Sequence, residues 1–188
     1  MTGSPPRRTA DVVRELQDHI RTVSDFPRPG ISFKDITPLI EDGRALHTAV
    51  DALAEATDGI SYDRILSAEA RGFVFGTALA YRAKKGLILA RKPKKLPREI
   101  ISATYDLEYG TDALEAHSDA IPEGTRVLVA DDLLATGGTA RAMCQLVENA
   151  GGTVAGVAFL IELAYLSGRE KLTPYPVVSL ITYDGPED

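Results

Sequence analysis

Cysteine is nearly absent, with Cys144 the single example in 188 residues. One thiol excludes an intramolecular disulfide and any cysteine-rich zinc site, and it fits a reducing, cytoplasmic compartment. A surplus of basic residues is lacking too. Lys and Arg number 21 against 27 Asp and Glu, for a net charge of -6. Nucleic acids and acidic membranes are held mainly by excess cations, so neither is an expected partner. The most apolar run, Val154 to Leu166, is interrupted by Glu162 and is too short to span a bilayer. The proline-rich start, Met1 to Thr9, carries Arg7 and Arg8, but no apolar stretch follows that could serve as a signal peptide. Residues 1–10 are expected to be a disordered tail.

What is present is a chain with 44% hydrophobic residues, long enough to bury one sizeable core, and a single domain over 1–188 is expected. Strand-like runs alternate with helix-like ones, the mark of an α/β fold in which a central, mostly parallel sheet is flanked by helices. Arg64–Ala68, Gly86–Arg91, Thr125–Asp131, Thr153–Ile161 and Val177–Tyr183 read as strands. Gly72–Lys84 and Gly137–Ala150 place apolar residues at helical spacing. Upstream, Asp11–Val23 carries Val12, Val13, Leu16, Ile20 and Val23 on one face, and Ala45–Ala56 repeats the pattern. Two segments fall outside the alternation, Ser24–Asp35 and Lys92–Pro122. Long connections in a compact domain often serve as lids or binding loops.

The strongest chemical signal is the stretch from Arg126 to Thr139, an apolar strand that runs into Asp131 and Asp132, then Ala135-Thr136-Gly137-Gly138-Thr139, then a helix. The two glycines let backbone N–H groups close on an anion, the helix N-terminus adds partial positive charge, and the threonines offer hydroxyl donors. Paired carboxylates suit vicinal ribose hydroxyls and can attract magnesium. A lone TGGT fits an ordinary strand-to-helix turn equally well. The strand, acid pair and glycine turn together favour a phosphate cradle, and no lysine follows the glycines as a nucleoside-triphosphatase loop requires.

Glu69-Ala70-Arg71-Gly72 also follows a strand and opens a helix, so Arg71 could present its guanidinium fork to a second phosphate group. By itself it is equally a surface arginine at a helix start. Arg91, Lys92, Lys95 and Arg98 form a basic cluster after another strand, which in isolation also reads as a solvated loop. In open parallel sheets ligands bind beyond the carboxyl ends of the strands, where all three signals lie. A ligand with a phosphate, a ribose and a pyrophosphate, 5-phosphoribosyl 1-pyrophosphate, satisfies them together.

Val129–Thr139 resembles the sugar-phosphate signature of the type I phosphoribosyltransferases. More of the chain is similar to the branch of that family that uses adenine. Its matching pieces are Asp25–Pro38, Glu69–Gly76, Arg91-Lys92 with Lys95–Pro97, Tyr105–Gly110, Asp131–Thr139 and Gly168–Leu172. Ser32 and Lys34 depart from the family's more frequent aliphatic residue and arginine. The resemblance implies a purine-salvage transferase joining adenine to the activated ribose, giving AMP and pyrophosphate. It implies a small hood and a flexible loop beside the sheet, with Phe33 stacking on the base while backbone groups near Ser32 and Lys34 read its edge. Asp131, Asp132, Ala135, Thr136, Gly137, Gly138 and Thr139 would hold the sugar phosphate, and Arg71, Arg91, Lys92 and Lys95 the pyrophosphate. Glu108 would exchange a proton with the purine from the hood. It further implies a cis peptide at Glu69-Ala70, magnesium bound mainly through the substrate with no dedicated protein metal site, and a homodimer. Two alternatives stay open: a transferase for xanthine, hypoxanthine or guanine, and a nucleotide-sensing regulator of the same fold.

Overall fold

The computed structural model describes residues 9–106 and 111–186. In chain order the elements are α1 (Thr9–Gln17), β1 (Arg21–Ser24), β2 (Ser32–Asp35), α2 (Thr37–Glu41), α3 (Gly43–Ala56), β3 (Arg64–Ala68), α4 (Gly72–Ala83), β4 (Gly86–Ala90), β5 (Ile100–Asp106), β6 (Thr111–His117), β7 (Arg126–Leu134), α5 (Gly138–Asn149), β8 (Thr153–Leu163) and β9 (Val177–Tyr183). Five strands form a parallel sheet in the order β4-β3-β7-β8-β9. Strands buried on both faces are apolar at nearly every position, and β7 and β8 show this. Val127, Val129 and Phe159 pack toward α5, against Met143, Cys144, Leu146 and Val147. Their neighbours Leu128, Ala130 and Leu160 pack on the other side with Leu53 of α3 and Phe75 and Leu79 of α4. The alternation follows from the two-residue period of a strand.

Local signals account for the helix starts. Asp42 caps α3 by accepting hydrogen bonds from the N–H groups of Arg44 at 2.9 Å and Ala45 at 2.8 Å, which satisfies amides that the first turn leaves without partners. Gly137 precedes α5 in the left-handed region at φ +79°, a conformation that favours glycine.

Four sequence expectations are corrected. The helix drawn over Asp11–Val23 stops at Gln17. Tight-turn bonds from His19 N–H to Leu16 and from Ile20 N–H to Gln17 close its end, and Thr22 and Val23 then join an antiparallel ribbon with β2, where β-branched residues are favoured. Thr9 and Ala10, assigned to the tail, are already helical. The Ser24–Asp35 and Lys92–Pro122 segments are not wholly irregular. The first supplies β2, and the second contains the antiparallel β5–β6 ribbon, in full register from Ile100↔His117 to Asp106↔Thr111. That ribbon is the hood; Ala103, Leu114 and Ala116 fix it to the α5 side of the core. Finally, β7 runs past Asp131, carried to Leu134 by pairing of Leu133 with Ile161 and Leu134 with Glu162 on β8.

Candidate active site

The carboxyl ends of β3 and β7 open onto a cavity of about 380 Å³ lined by Glu69, Ala70, Arg71 and the whole run Asp131–Ala140. Every residue assigned to the sugar phosphate therefore borders one space, with the N-terminus of α5 at its wall. Asp131 and Asp132 are only 8% and 7% exposed. Burial pushes both carboxyls above their usual range. The neighbouring Asp132 charge raises Asp131 further, whereas Arg71 opposes the rise at Asp132. Arg71 Nε stands 2.8 Å from Asp132 Oδ2, and Asp131 Oδ1 accepts the Asp132 N–H at 3.0 Å. Of the two, Asp131 is the member whose charge is opposed more strongly, because burial and the Asp132 charge both act against it while the guanidinium stands on Asp132.

The basic residues converge on Glu69. Its carboxylate accepts the Lys92 backbone N–H, stands 2.9 Å from Lys95 Nζ and 3.4 Å from Arg91 Nη2. Its pKa lies below the usual range because those donors outweigh the cost of burial. The peptide between Glu69 and Ala70 is cis. Lys92 sends its ammonium elsewhere, onto Asp112 and the Tyr105 hydroxyl of the hood. Arg91 also pairs through its backbone with Glu115, which ties the end of β4 to the hood. Arg98 bonds to Asp119, away from this cluster. Glu108 lies outside the described residues.

A second cavity, about 340 Å³, adjoins the first through shared Leu133, Ala135 and Thr136. Ser32, Phe33 and Lys34 line it with Leu163, Tyr165 and Leu166. Phe33 meets the Phe26 ring edge-on at 5.1 Å, and the Arg71 guanidinium lies 5.1 Å from its ring centre. The Lys34 ammonium is drawn to Thr22 Oγ1 at 3.1 Å and to the face of Tyr183. Sequence reasoning missed the walls Leu133, Leu163, Tyr165 and Leu166. Leu133 and Leu163 lie at strand ends and Tyr165 and Leu166 in the turn after β8, and nothing in their local pattern separates them from core.

The phosphoribosyl transferase domain family matches residues 39–182. An adenine phosphoribosyltransferase of Rubrobacter xylanophilus is 70% identical over 179 residues, 95% of this chain and 97% of that protein. The chain belongs to the adenine phosphoribosyltransferase family. A match over 95% of the chain includes the Ser24–Asp35 segment, which lies before the start of the domain match. Among solved structures, the adenine phosphoribosyltransferase of Thermoanaerobacter pseudethanolicus aligns with TM-score 0.89 at 51% identity, covering 91% of this chain and 99% of that one. The Saccharomyces cerevisiae enzyme, complexed with an imino-altritol bisphosphate and adenine, aligns with TM-score 0.86 at 38% identity over 91% and 99% of the two chains. The type I phosphoribosyltransferase architecture expected from the sequence is therefore the one observed. Among the described residues no helix is long and apolar enough to cross a membrane.

Proposed function

We infer that this chain transfers the 5-phosphoribosyl group of phosphoribosyl pyrophosphate to adenine, giving AMP and pyrophosphate. The adjoining cavities carry the reading. A ribose phosphate in the space ringed by Asp131–Ala140 and a flat base in the space beside Phe33 would meet at their common wall. In the reaction the bond from ribose C1′ to pyrophosphate breaks with its electron pair leaving on the pyrophosphate oxygen. Adenine N9 bonds to C1′, and the N9 proton is given up.

Charge builds on the departing pyrophosphate, and preorganised cations stabilise such charge most strongly. Arg71, Arg91, Lys92 and Lys95 supply them. Arg71 pairs with Asp132, and Arg91 and Lys95 with Glu69, carboxylates that line the cavity, while Lys92 pairs with Asp112 of the hood, so binding is an exchange of anionic partners. Asp131 and Asp132 hold the ribose hydroxyls. Phe33 stacks on the purine, and backbone groups at Ser32 and Lys34 read its edge, since the Lys34 ammonium is engaged with Thr22 and Tyr183. Glu108 takes the proton from the purine, and the β5–β6 hood excludes water that would hydrolyse the activated sugar.

Magnesium belongs to the same reading. The acid pair offers hard oxygen donors at the cavity, a chemistry that fits an ion carried mainly on the substrate and offsetting charge on the pyrophosphate. A homodimer in a cytoplasmic compartment completes the proposal.

The test is incubation with phosphoribosyl pyrophosphate, magnesium and a panel of bases. A site built to read the 6-amino group leaves buried polar groups unpaired against a 6-oxo purine, so adenine is expected to be turned over far faster than hypoxanthine, guanine or xanthine. Equal turnover of adenine and hypoxanthine overturns the base assignment, and no turnover of any base overturns the enzyme.

A further inference from the structure

Between β8 and β9 the chain makes two short 3-10 turns, Ala164–Leu166 and Gly168–Leu172, joined at Ser167. The first contributes Tyr165 and Leu166 to the base cavity. The second presses on the phosphate loop from outside. A β-carbon on Gly168 would stand 2.0 Å from the Ala135 carbonyl oxygen and 2.8 Å from the Gly137 nitrogen. From the other side, a β-carbon on Gly137 would stand 2.4 Å from the Gly168 carbonyl oxygen. These are contacts of backbone with backbone, so no side-chain rotation can relieve them.

The turn is anchored and cannot back away. Next to Gly168, Arg169 places Nε 2.8 Å from Glu162 Oε1 and bonds Glu162 Oε2 through Nη2. Its Nη1 donates to the Val177 carbonyl at 3.0 Å, and Nη2 lies 3.4 Å from Ser179 Oγ. Glu162 is buried at the end of β8, and Leu172 is fully buried at the end of the turn. A side chain at 168 would therefore displace the Ala135–Gly137 backbone, whose amides open α5 toward the anion.

We propose that Gly168 is a positioning residue for the phosphate loop, braced by the Arg169–Glu162 pair. The proposal rests on the reading that Ala135–Thr139 binds the 5-phosphate. It acts through backbone placement and involves no contact with substrate.

Calorimetry with ribose 5-phosphate tests it on the whole chain. Gly168→Ala is expected to weaken binding about 10- to 100-fold, the scale on which misplacement by about 1 Å acts. Lys171→Ala, an exposed change in the same turn, leaves binding at the wild-type value. Arg169→Gln alone weakens binding modestly. The double variant Gly168→Ala/Arg169→Gln is expected to bind more tightly than Gly168→Ala alone, because the freed turn can retreat from the loop. Coupling of that sign distinguishes a wedge against the loop from general loss of structure, which adds. Unchanged affinity in Gly168→Ala, or a double variant weaker than Gly168→Ala, overturns the proposal. If Gly168→Ala does not fold, unchanged affinity in Arg169→Gln overturns it instead. Failure of the wild-type protein to bind ribose 5-phosphate would sink the phosphate-loop reading itself, a separate outcome from an unaffected variant.

Discussion

Gly72, the first residue of α4, and Asp131 of β7 approach so closely that a β-carbon on Gly72 would lie 2.2 Å from Asp131 Oδ1. The contact joins two motifs that are about 60 residues apart in the chain and share only a strand-to-helix form. It sets the depth at which the acid pair sits and brings Arg71 onto Asp132.

Gly72→Ala should therefore act on the site before it acts on the fold. Overpacking costs about 1–3 kcal/mol, and Asp131 can relieve the clash only by abandoning the Asp132 N–H. Ribose 5-phosphate binding measured by calorimetry is expected to fall at least tenfold, with a modest loss of stability in urea. A variant that binds like wild type shows that the carboxylate position is not critical.

The acid pair carries a pH dependence of definite sign. Because burial and Asp132 raise the Asp131 pKa in the folded protein, the folded state keeps a proton there at pH values where the unfolded chain, with a carboxyl pKa near about 3.9, has lost it. The stability of the ligand-free protein from this group is then fully present below the unfolded value and declines as pH rises toward the folded one. Asp131→Asn removes that loss. Thermal unfolding at pH 7 should shift upward by about 2–4 °C, corresponding to about 1 kcal/mol, while ribose 5-phosphate affinity drops. A lower midpoint for Asp131→Asn at pH 7 contradicts the assignment of the buried charge.

For Glu108, replacement by Gln keeps size and hydrogen-bonding reach but removes the ionisable proton carrier. Single-turnover formation of AMP is expected to slow by about 10²–10⁴-fold, with substrate dissociation constants nearly unchanged. A wild-type single-turnover rate across the pH range would assign the hood to water exclusion alone.

Cys144 gives a probe of global opening. It lies fully buried on α5, and burial pushes its thiol up to about 12. The thiolate is the reactive form, so a thiol reagent at pH 8 should leave the native protein untouched and label one site in denaturant. Rapid labelling of native protein would contradict its burial.

The short helix α1 shows the limit of pattern reading. Val12, Val13, Leu16 and Ile20 do pack toward the core, so the apolar stripe was legible, but its apparent extension to Val23 was coincidental spacing. The β1–β2 ribbon claims Val23 through pairing with Phe33, a partner that local periodicity does not contain. The same is true of Lys92, whose basic character was plain but whose ammonium goes to Asp112 and Tyr105 of the hood.

By itself the sequence determined the alternating α/β order, the glycine turn that opens α5 and the family of the chain. Each rests on information carried within a dozen residues: a two- or 3.6-residue period, a glycine where φ is positive, amides at a helix start. Tertiary structure alone decided that Leu163, Tyr165 and Leu166 line the second cavity together with Ser32–Lys34, that Glu69 gathers the basic loop, and that Gly168 lies against the Ala135–Gly137 backbone. Those relationships depend on the order in which five parallel strands lie side by side. That order is fixed by burying both faces of the sheet at once, a condition on the whole chain that no short window of sequence records.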